Sequence, residues 1–430
     1  MPLSELPIVP HLKTALKGPL QHLENHLLAK QTEIEWWFRQ QWQQTPAPFY
    51  SSVDLRNAGF KLAPVDTNLF PAGFNNLNPA FSPLCVQAAH AAVERIKITA
   101  ARLLIIPENH TRNLSYWESV AALQTILQKT GLEVRIGSMS TELTSPQELT
   151  LPSGRHVLLE PIIRHEHCIG LQDFTPCLVL LNNDLSSGHP TILDNLHQDI
   201  LPPLRSGWYA RLKSEHFTYY RQVAKDFALQ IGIDPWLIDP LFKNCGKINF
   251  MKKTGYECLA DNVSALLQAI QRKYTEYNVP HKPFVIVKAD QGTYGMGVMT
   301  IHEPEEILAL NRKQRTRMST SKEGQTIQKV ILQEGVYTFE TWEEESVAEP
   351  VVYMIDHFVV GGFYRVHTEK GVNENLNAPG MHFEPLAFED SCMTPNSRME
   401  PDALPNRFYA YGVVARLASL AAAREISAQL

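Results

Sequence analysis

Between Phe284 and Ile301 the chain reads FVIVKADQGTYGMGVMTI, an apolar stretch that delivers one lysine, Lys288, to a loop carrying Gly292, Gly295 and Gly297. The chemistry these residues suit is the binding of a phosphate. Glycine has no Cβ, so backbone N–H groups can approach an anion closely and positive φ is accessible, while the ammonium supplies fixed charge. Alternation along a strand puts Phe284, Ile286 and Lys288 on one face and Val285, Val287 and Ala289 on the other. Lys288 thus ends an apolar row, where a cation is costly unless partnered. A glycine-rich hairpin with a snorkelling lysine would read the same way at this level. Two other phosphate signatures are excluded: the lysine precedes the glycines, unlike GxxxxGK[ST], and the loop falls too late for a GxGxxG dinucleotide fingerprint with its ribose acid.

The elements that position this loop belong to a chain of 430 residues, long enough for two or three domains with their own cores. A net charge of −6 with mixed signs gives no basic stripe, so neither nucleic acid nor an anionic membrane is the expected partner, and small anions must be met by local cations. The six cysteines (Cys85, Cys168, Cys177, Cys245, Cys258 and Cys392) show no CxxC pairing, and the amino terminus lacks a secretory apolar region, which together predict a reduced, cytoplasmic setting. No apolar run reaches the roughly 18 residues of a membrane span.

Residues 12 to 43 read as helical, with Trp36, Trp37 and Trp42 as packing residues, until ThrProAlaPro breaks the pattern. The next stretch, FYSSVDLRNAGFKLAPVDTNLFPAGFNNLNP, reads as a long surface or binding loop. Two α/β units follow: strand Arg102–Pro107, helix Tyr116–Thr130, strand Glu133–Ile136 and strand Cys177–Leu181. Open α/β sheets bind ligands at strand carboxyl ends, so Glu108, Asn109, Arg112, Asn182, Asn183 and Asp184 are candidates, although turn and cap chemistry explains such residues equally well.

A boundary is expected near Leu201–Gly207. Beyond it, Ser214 can cap a helix to Ile231 closed by Gly232, a strand is expected near Lys247–Met251, and a second amphipathic helix spans Asp261–Asn278. After the glycine loop come a helix from Pro304, a strand at 329 to 336, a hairpin turning at ValGlyGly between Val351–Val360 and Gly362–His367, and a helix Tyr409–Gln429.

The order strand–lysine–glycine loop, helix, strand ending GlnGluGly, hairpin with Arg365, then AsnLeuAsnAlaProGly resembles the ATP-grasp superfamily. Within it the chain is most similar to the proteobacterial glutamate–cysteine ligase family of ATP-grasp type. The resemblance rests on VDLRNAGFKLAPVDTNLFPAGFNNL, LLNNDLSSG, GWYARLKSEHF, VKADQGTYGMGVMT, QEGVYT, AEPVVYMIDHFVVGGFYRV and ENLNAPG, which span nearly the whole sequence. It implies an α/β (α+β) chain with an ATP-grasp fold: an N-terminal α/β substrate-binding domain over 1–200 and a nucleotide-binding and catalytic region over 201–430. It further implies ATP- and Mg²⁺-dependent ligation of the glutamate γ-carboxyl, through an acylphosphate, to cysteine, giving γ-glutamylcysteine as the first step of glutathione biosynthesis. The partners would be small-molecule substrates.

By this resemblance Lys288 cradles the α/β-phosphates, with Gly292, Gly295 and Gly297 beside it. Lys213 matches the second superfamily lysine, with Lys247 in competition. Gln333 and Glu334 form the adenine hinge, Glu334 meeting the amino group. Arg365 reaches the transferred phosphate, and Asn375 belongs to the turn that follows; a salt bridge and a plain turn residue are the alternatives for these two. The chain lacks the usual carboxylate and GluxAsn pair after that turn, so Mg²⁺ is expected elsewhere. Asp66 and Asn68 have acid-x-Asn spacing that puts two oxygen ligands on one side of an extended segment, with an Asx-turn as the alternative and Glu374 and Asn377 as local substitutes. Arg56, Asn57 and Lys61 are the expected glutamate contacts, with the ammonium on Asp66 or Asp54. HisGluHisCys at 165 to 168 lacks a second ligand pair and reads as a solvated loop rather than a zinc site. Two rival functions remain: another carboxylate–amine ligase such as glutathione synthetase, and a non-catalytic nucleotide-binding protein. Retention of Lys288 and Arg365 argues against the second, since a decayed site loses charges that are costly to bury.

Overall fold

The computed structural model describes residues 19–109, 113–292, 297–319, 327–342, 346–386 and 408–429. The expected first helix is two, α1 (Pro19–Ala29) and α2 (Gln31–Gln44), joined at Lys30. Ile34, Trp37 and Phe38 give α2 its buried face, whereas Trp36 is 56% exposed. The stretch expected as a loop holds two strands instead, β1 (Tyr50–Asn57) and β2 (Leu62–Asn68). Val53 and Leu55 alternate with Ser52, Asp54 and Arg56, so one face is apolar and the other polar, and the polar face disguised the strand.

After α3 (Ser82–Lys97) come β3 (Arg102–Pro107), α4 (Leu114–Gln128), β4 (Glu133–Ser138), β5 (Gln147–Thr150), β6 (His156–Pro161), β7 (Ile163–His165), β8 (Cys168–Gly170), β9 (Leu178–Asn182) and β10 (Asp199–Leu201). The α/β units are as expected; HisGluHisCys makes the β7–β8 turn. Then follow α5 (Lys213–Ile231), β11 (Phe242–Cys245), α6 (Tyr256–Glu276), β12 (Val285–Ala289), β13 (Val298–Ile301), α7 (Glu305–Leu308), α8 (Arg312–Ser319) and β14 (Val330–Glu334). Gly232 closes α5 at φ +77° as expected, but Ser214 lies inside its first turn and does not cap it. Its N–H and hydroxyl instead bind the Asp290 carboxylate, both at 2.7 Å, tying α5 to the end of β12. The strand expected near Lys247–Met251 is absent: Lys247 sits at φ +63°, and an isolated Asn249–Thr254 bridge is all that forms there.

The last elements are β15 (Glu340–Trp342), β16 (Ser346–Ile355), β17 (Phe358–His367), β18 (His382–Pro385) and α9 (Phe408–Ser427). The β16–β17 turn falls at Asp356 and His357, not at ValGlyGly; Gly361, at φ +138°, sits where the register slips opposite Tyr353.

Three sheets frame the molecule. An antiparallel sheet runs β18-β17-β16-β1-β2 with β15 beside β16, a mostly parallel sheet runs β10-β9-β3-β4-β6-β5, and an antiparallel one runs β11-β14-β12-β13. The first takes strands from both sides of residue 200. The alanine-rich helix α9 is buried from Tyr409 to Ala423 because it packs on α5 and on β1, β2 and β16. Its charges are paired: Arg416 grips Glu35 of α2 at 2.7 and 2.9 Å, and Glu425 grips Arg211 at 2.8 and 3.0 Å. Among the described residues no helix is long and apolar enough to cross a membrane.

Candidate functional site

A cavity of about 560 Å³, within the range of small-ligand sites, opens where the three sheets meet. Its floor is the face of the first sheet opposite α9. Period-two alternation brings Ser52, Asp54 and Arg56 of β1, Asp66 and Asn68 of β2, Glu349, Val351 and Tyr353 of β16, and Phe363 and Arg365 of β17 to that face. A second wall is the four-stranded sheet, which contributes Ile286, Lys288, Val298, Gln333 and Glu334. The third is the carboxyl end of the parallel sheet, with Glu108, Asn182 and Asp184, joined by Asn113, Ser115, Tyr116 and Ser119 of the α4 start. The serine hydroxyl of Ser119 accepts from the N–H groups of Gly73 and Phe74 at 2.7 and 3.1 Å, fixing the segment after β2.

Asp54 and Asp66 are direct cross-strand partners. Beyond them the register slips so that Leu55 faces Pro64, leaving Val65 as a bulge. That bulge frees the Val65 carbonyl, which accepts from Lys288 Nζ at 2.6 Å. The Asp66 carboxylate takes Lys213 Nζ on both oxygens at 2.8 Å. Although burial alone would raise it, Lys213 and Lys288 hold this carboxyl well below the usual range. Burial, with Lys213 beside it, pushes the Lys288 ammonium down to about 8 despite Asp66.

A second charge group lies across the floor. Arg365 Nη1 meets Asp54 at 2.9 Å and Glu349 at 2.5 Å, and Arg56 Nε meets Glu349 at 3.0 Å while its other nitrogens donate to the carbonyls of Val336 and Glu374. Burial raises the Asp54 carboxyl even against Arg365, because Glu349 and Asp66 are close by. Four cations, Arg56, Lys213, Lys288 and Arg365, therefore share one cavity with six carboxylates, Asp54, Asp66, Glu108, Asp184, Glu334 and Glu349. Each of those cations is pre-positioned by a partner, so that an anion can be met locally at the end of the side chain. Three buried donors on cavity residues, Arg365 Nε, Gln333 Nε2 and Trp208 Nε1, have no hydrogen-bond partner among the described residues.

The glutamate–cysteine ligase family profile matches residues 24–426. The chain belongs to the glutamate–cysteine ligase family. As a ligase of that family it is an enzyme that joins glutamate to cysteine. A crystal structure from Methylobacillus flagellatus KT, provisionally called gamma-glutamylcysteine synthetase, is 60% identical with a TM-score of 0.91 over 98% of this chain and 100% of that one. A glutathione synthetase-like effector from Globodera pallida (9% identity, TM-score 0.37, 80% of this chain and 77% of that one) and D-alanyl-alanine synthetase A from Vibrio cholerae (9%, 0.33, 74% and 81%) are similar too loosely to bear on the argument. No curated protein matches the ligase.

The ligase brings Lys288, Lys213, Arg365, Asn375, Gly292, Gln333, Arg56, Asp66, Asn68 and Asn377 to the cavity wall. The alternative Lys247 is exposed and absent from that wall. Gly297 stands just outside at φ +65°, where a Cβ would meet Ile327 Cδ1 at 2.8 Å; Gly295 and Arg112 lie outside the described residues. Asn375 and Asn377 form an Asx-turn, Asn375 Oδ1 accepting from the Asn377 N–H at 3.0 Å. Asn68 likewise accepts from the N–H of Phe70.

Four expectations need correction. Lys61 is fully buried away from the cavity, donating to Glu334 and to the Asp239 carbonyl, both at 2.8 Å, so its ammonium is not free to take a substrate carboxylate. Glu334 in turn also accepts from Trp236 Nε1 and the Leu241 N–H, which commits its side chain to the protein rather than to a base. Asn57 points to the α9 side, donating to Glu340 and Tyr411, and Glu374 is turned to Lys370 and the Gly371 N–H; neither lines the cavity.

Glu349 went unremarked in the sequence because it precedes Pro350 in an apolar run. Period-two spacing from Val351 and Tyr353 was the available signal. Among the described residues no group of three His, Cys, Asp or Glu gathers as a metal cage.

Proposed function

We propose that the ligase has an ATP-grasp fold and uses ATP and Mg²⁺ to phosphorylate the glutamate γ-carboxyl, the cysteine amine then displacing phosphate to give γ-glutamylcysteine. The observation that carries this reading is the cation set around one cavity: Lys288 on the wall of the four-stranded sheet, Lys213 at the start of α5, Arg365 and Arg56 on the floor. Joining a phosphate to a carboxylate brings two anions together, which fixed cations can offset in advance. In this proposal Lys288 and Lys213 hold the nucleotide phosphates and Arg365 the transferred group. The unpartnered Gln333 amide, with the backbone at the end of β14, meets the base. Arg56 takes the substrate carboxylate, and Asn375 and Asn377 close the site from their turn.

The residues fit a Mg²⁺ that arrives with the nucleotide, since this ion commonly takes one or two carboxylates and leaves its other positions to phosphate and water. Asp66, with Asn68 beside it and Asp54 across the strand, would hold it. When bound it supplies neutralising charge between the phosphates. The division at about residue 200 is proposed as one of role, glutamate and cysteine being met chiefly from the first part and ATP from the second. A cytoplasmic setting is part of the proposal and is supported by free thiols at Cys85, Cys168, Cys177, Cys245 and Cys258.

The test is ADP release and product mass with ATP, Mg²⁺ and glutamate, with and without cysteine. Cysteine-dependent ADP with γ-glutamylcysteine, lost on chelating Mg²⁺, is expected. Product formation without nucleotide turnover would overturn the ATP reading.

A further inference from the structure

Away from the cavity two thiols meet. Cys245 ends β11, an edge strand of the four-stranded sheet, and Cys258 lies in the first turn of α6, which packs on that strand. Their Sγ atoms are 3.8 Å apart. Cys245 is buried and Cys258 exposed. Asn262, one turn along α6, anchors on the Cys258 carbonyl at 3.0 Å and places its amide nitrogen 3.5 Å from the Cys258 sulfur and 3.9 Å from that of Cys245. One side chain therefore holds both sulfurs in register. A disulfide needs about 2.0 Å between them, leaving about 1.8 Å to close, a distance that side-chain rotation of an exposed residue in a first helical turn can supply.

We propose that Cys245 and Cys258 form a reversible thiol–disulfide exchange site for small-molecule disulfides, which closes a covalent brace between β11 and α6. The exposed Cys258 thiolate attacks one sulfur of R–S–S–R and expels one RS⁻; the Cys245 thiolate then attacks the mixed disulfide at Cys258 and expels the second. The protein gives up two protons and two electrons, and the small disulfide leaves as two thiols. Burial and the neighbouring Cys258 push the Cys245 thiol up to about 11, so the first attack falls to the exposed Cys258, and Cys245 acts only where the mixed disulfide is held beside it. The brace has a route to the cavity: Leu241, just ahead of β11, exchanges backbone and side-chain hydrogen bonds with Glu334.

The test uses the full chain treated with glutathione disulfide and read by intact mass and peptide mapping. The wild-type protein should lose the mass of two hydrogen atoms, with the bond mapped between Cys245 and Cys258 and reversed by a dithiol. Cys245→Ser should stop with one glutathionyl group on Cys258, and Cys258→Ser should leave Cys245 a thiol. A wild-type chain that keeps both thiols, or that keeps a stable glutathionyl group on Cys258, would overturn the proposal.

Discussion

Lys288 is held by a bulge carbonyl within the field of Asp66 and Lys213, and that placement sets how it responds to pH. With its ammonium pushed down to about 8, it carries full charge only below that value. ATP affinity measured by calorimetry is therefore expected to fall as pH rises through about 8, and this limb should vanish in Lys288→Ala. The same variant, folded by circular dichroism, is expected to lose about 10²- to 10³-fold in turnover, the scale of removing one preorganised charge contact to a transition state. A pH-independent ATP affinity in the wild-type enzyme would detach this lysine from the phosphates. Lys288 was legible because a lysine in an apolar row stands out. Glu349 was hidden because a lone acid before a proline looks like a strand edge.

Between elements, the Lys61–Glu334 pair is the joint that ties the β1–β2 turn to β14, with both side chains almost fully excluded from water. Removing one partner of such a pair leaves a buried charge uncompensated, so Lys61→Met is expected to cost roughly 3–5 kcal/mol in urea unfolding. An unchanged midpoint would mean that Glu334 finds another partner or takes up a proton. At this scale strong periodicity carried the reading: α5, α6 and β12 lie close to where hydrophobic spacing put them. The β1–β2 pair escaped because its polar side lines a cavity, so its composition mimics a loop while its alternation is that of a strand. The strand Phe242–Cys245 escaped for a related reason: Asn244 is exposed on an edge strand that turns few side chains to the core.

For the whole molecule, the central sheet alternates between distant parts of the sequence, β1 pairing with β16 and β2 closing its edge. Expressed apart, residues 1–200 and 201–430 would each leave an open strand edge and half of the charge network, so neither fragment is expected to turn over, and co-expression should restore activity only if β1 and β16 re-pair. Activity in the second fragment alone would refute this. The sequence by itself determined the family, the α/β units and the place of Lys288 on an apolar strand, because those depend on local spacing and on long runs of identical residues. Only the tertiary structure decided which charges are available. Lys61 and Arg56 sit five residues apart in the same polar stretch, yet one is spent on Glu334 and the other faces the cavity. That difference comes from where each strand face points once sheets from both halves pack together, and no neighbour in sequence carries it.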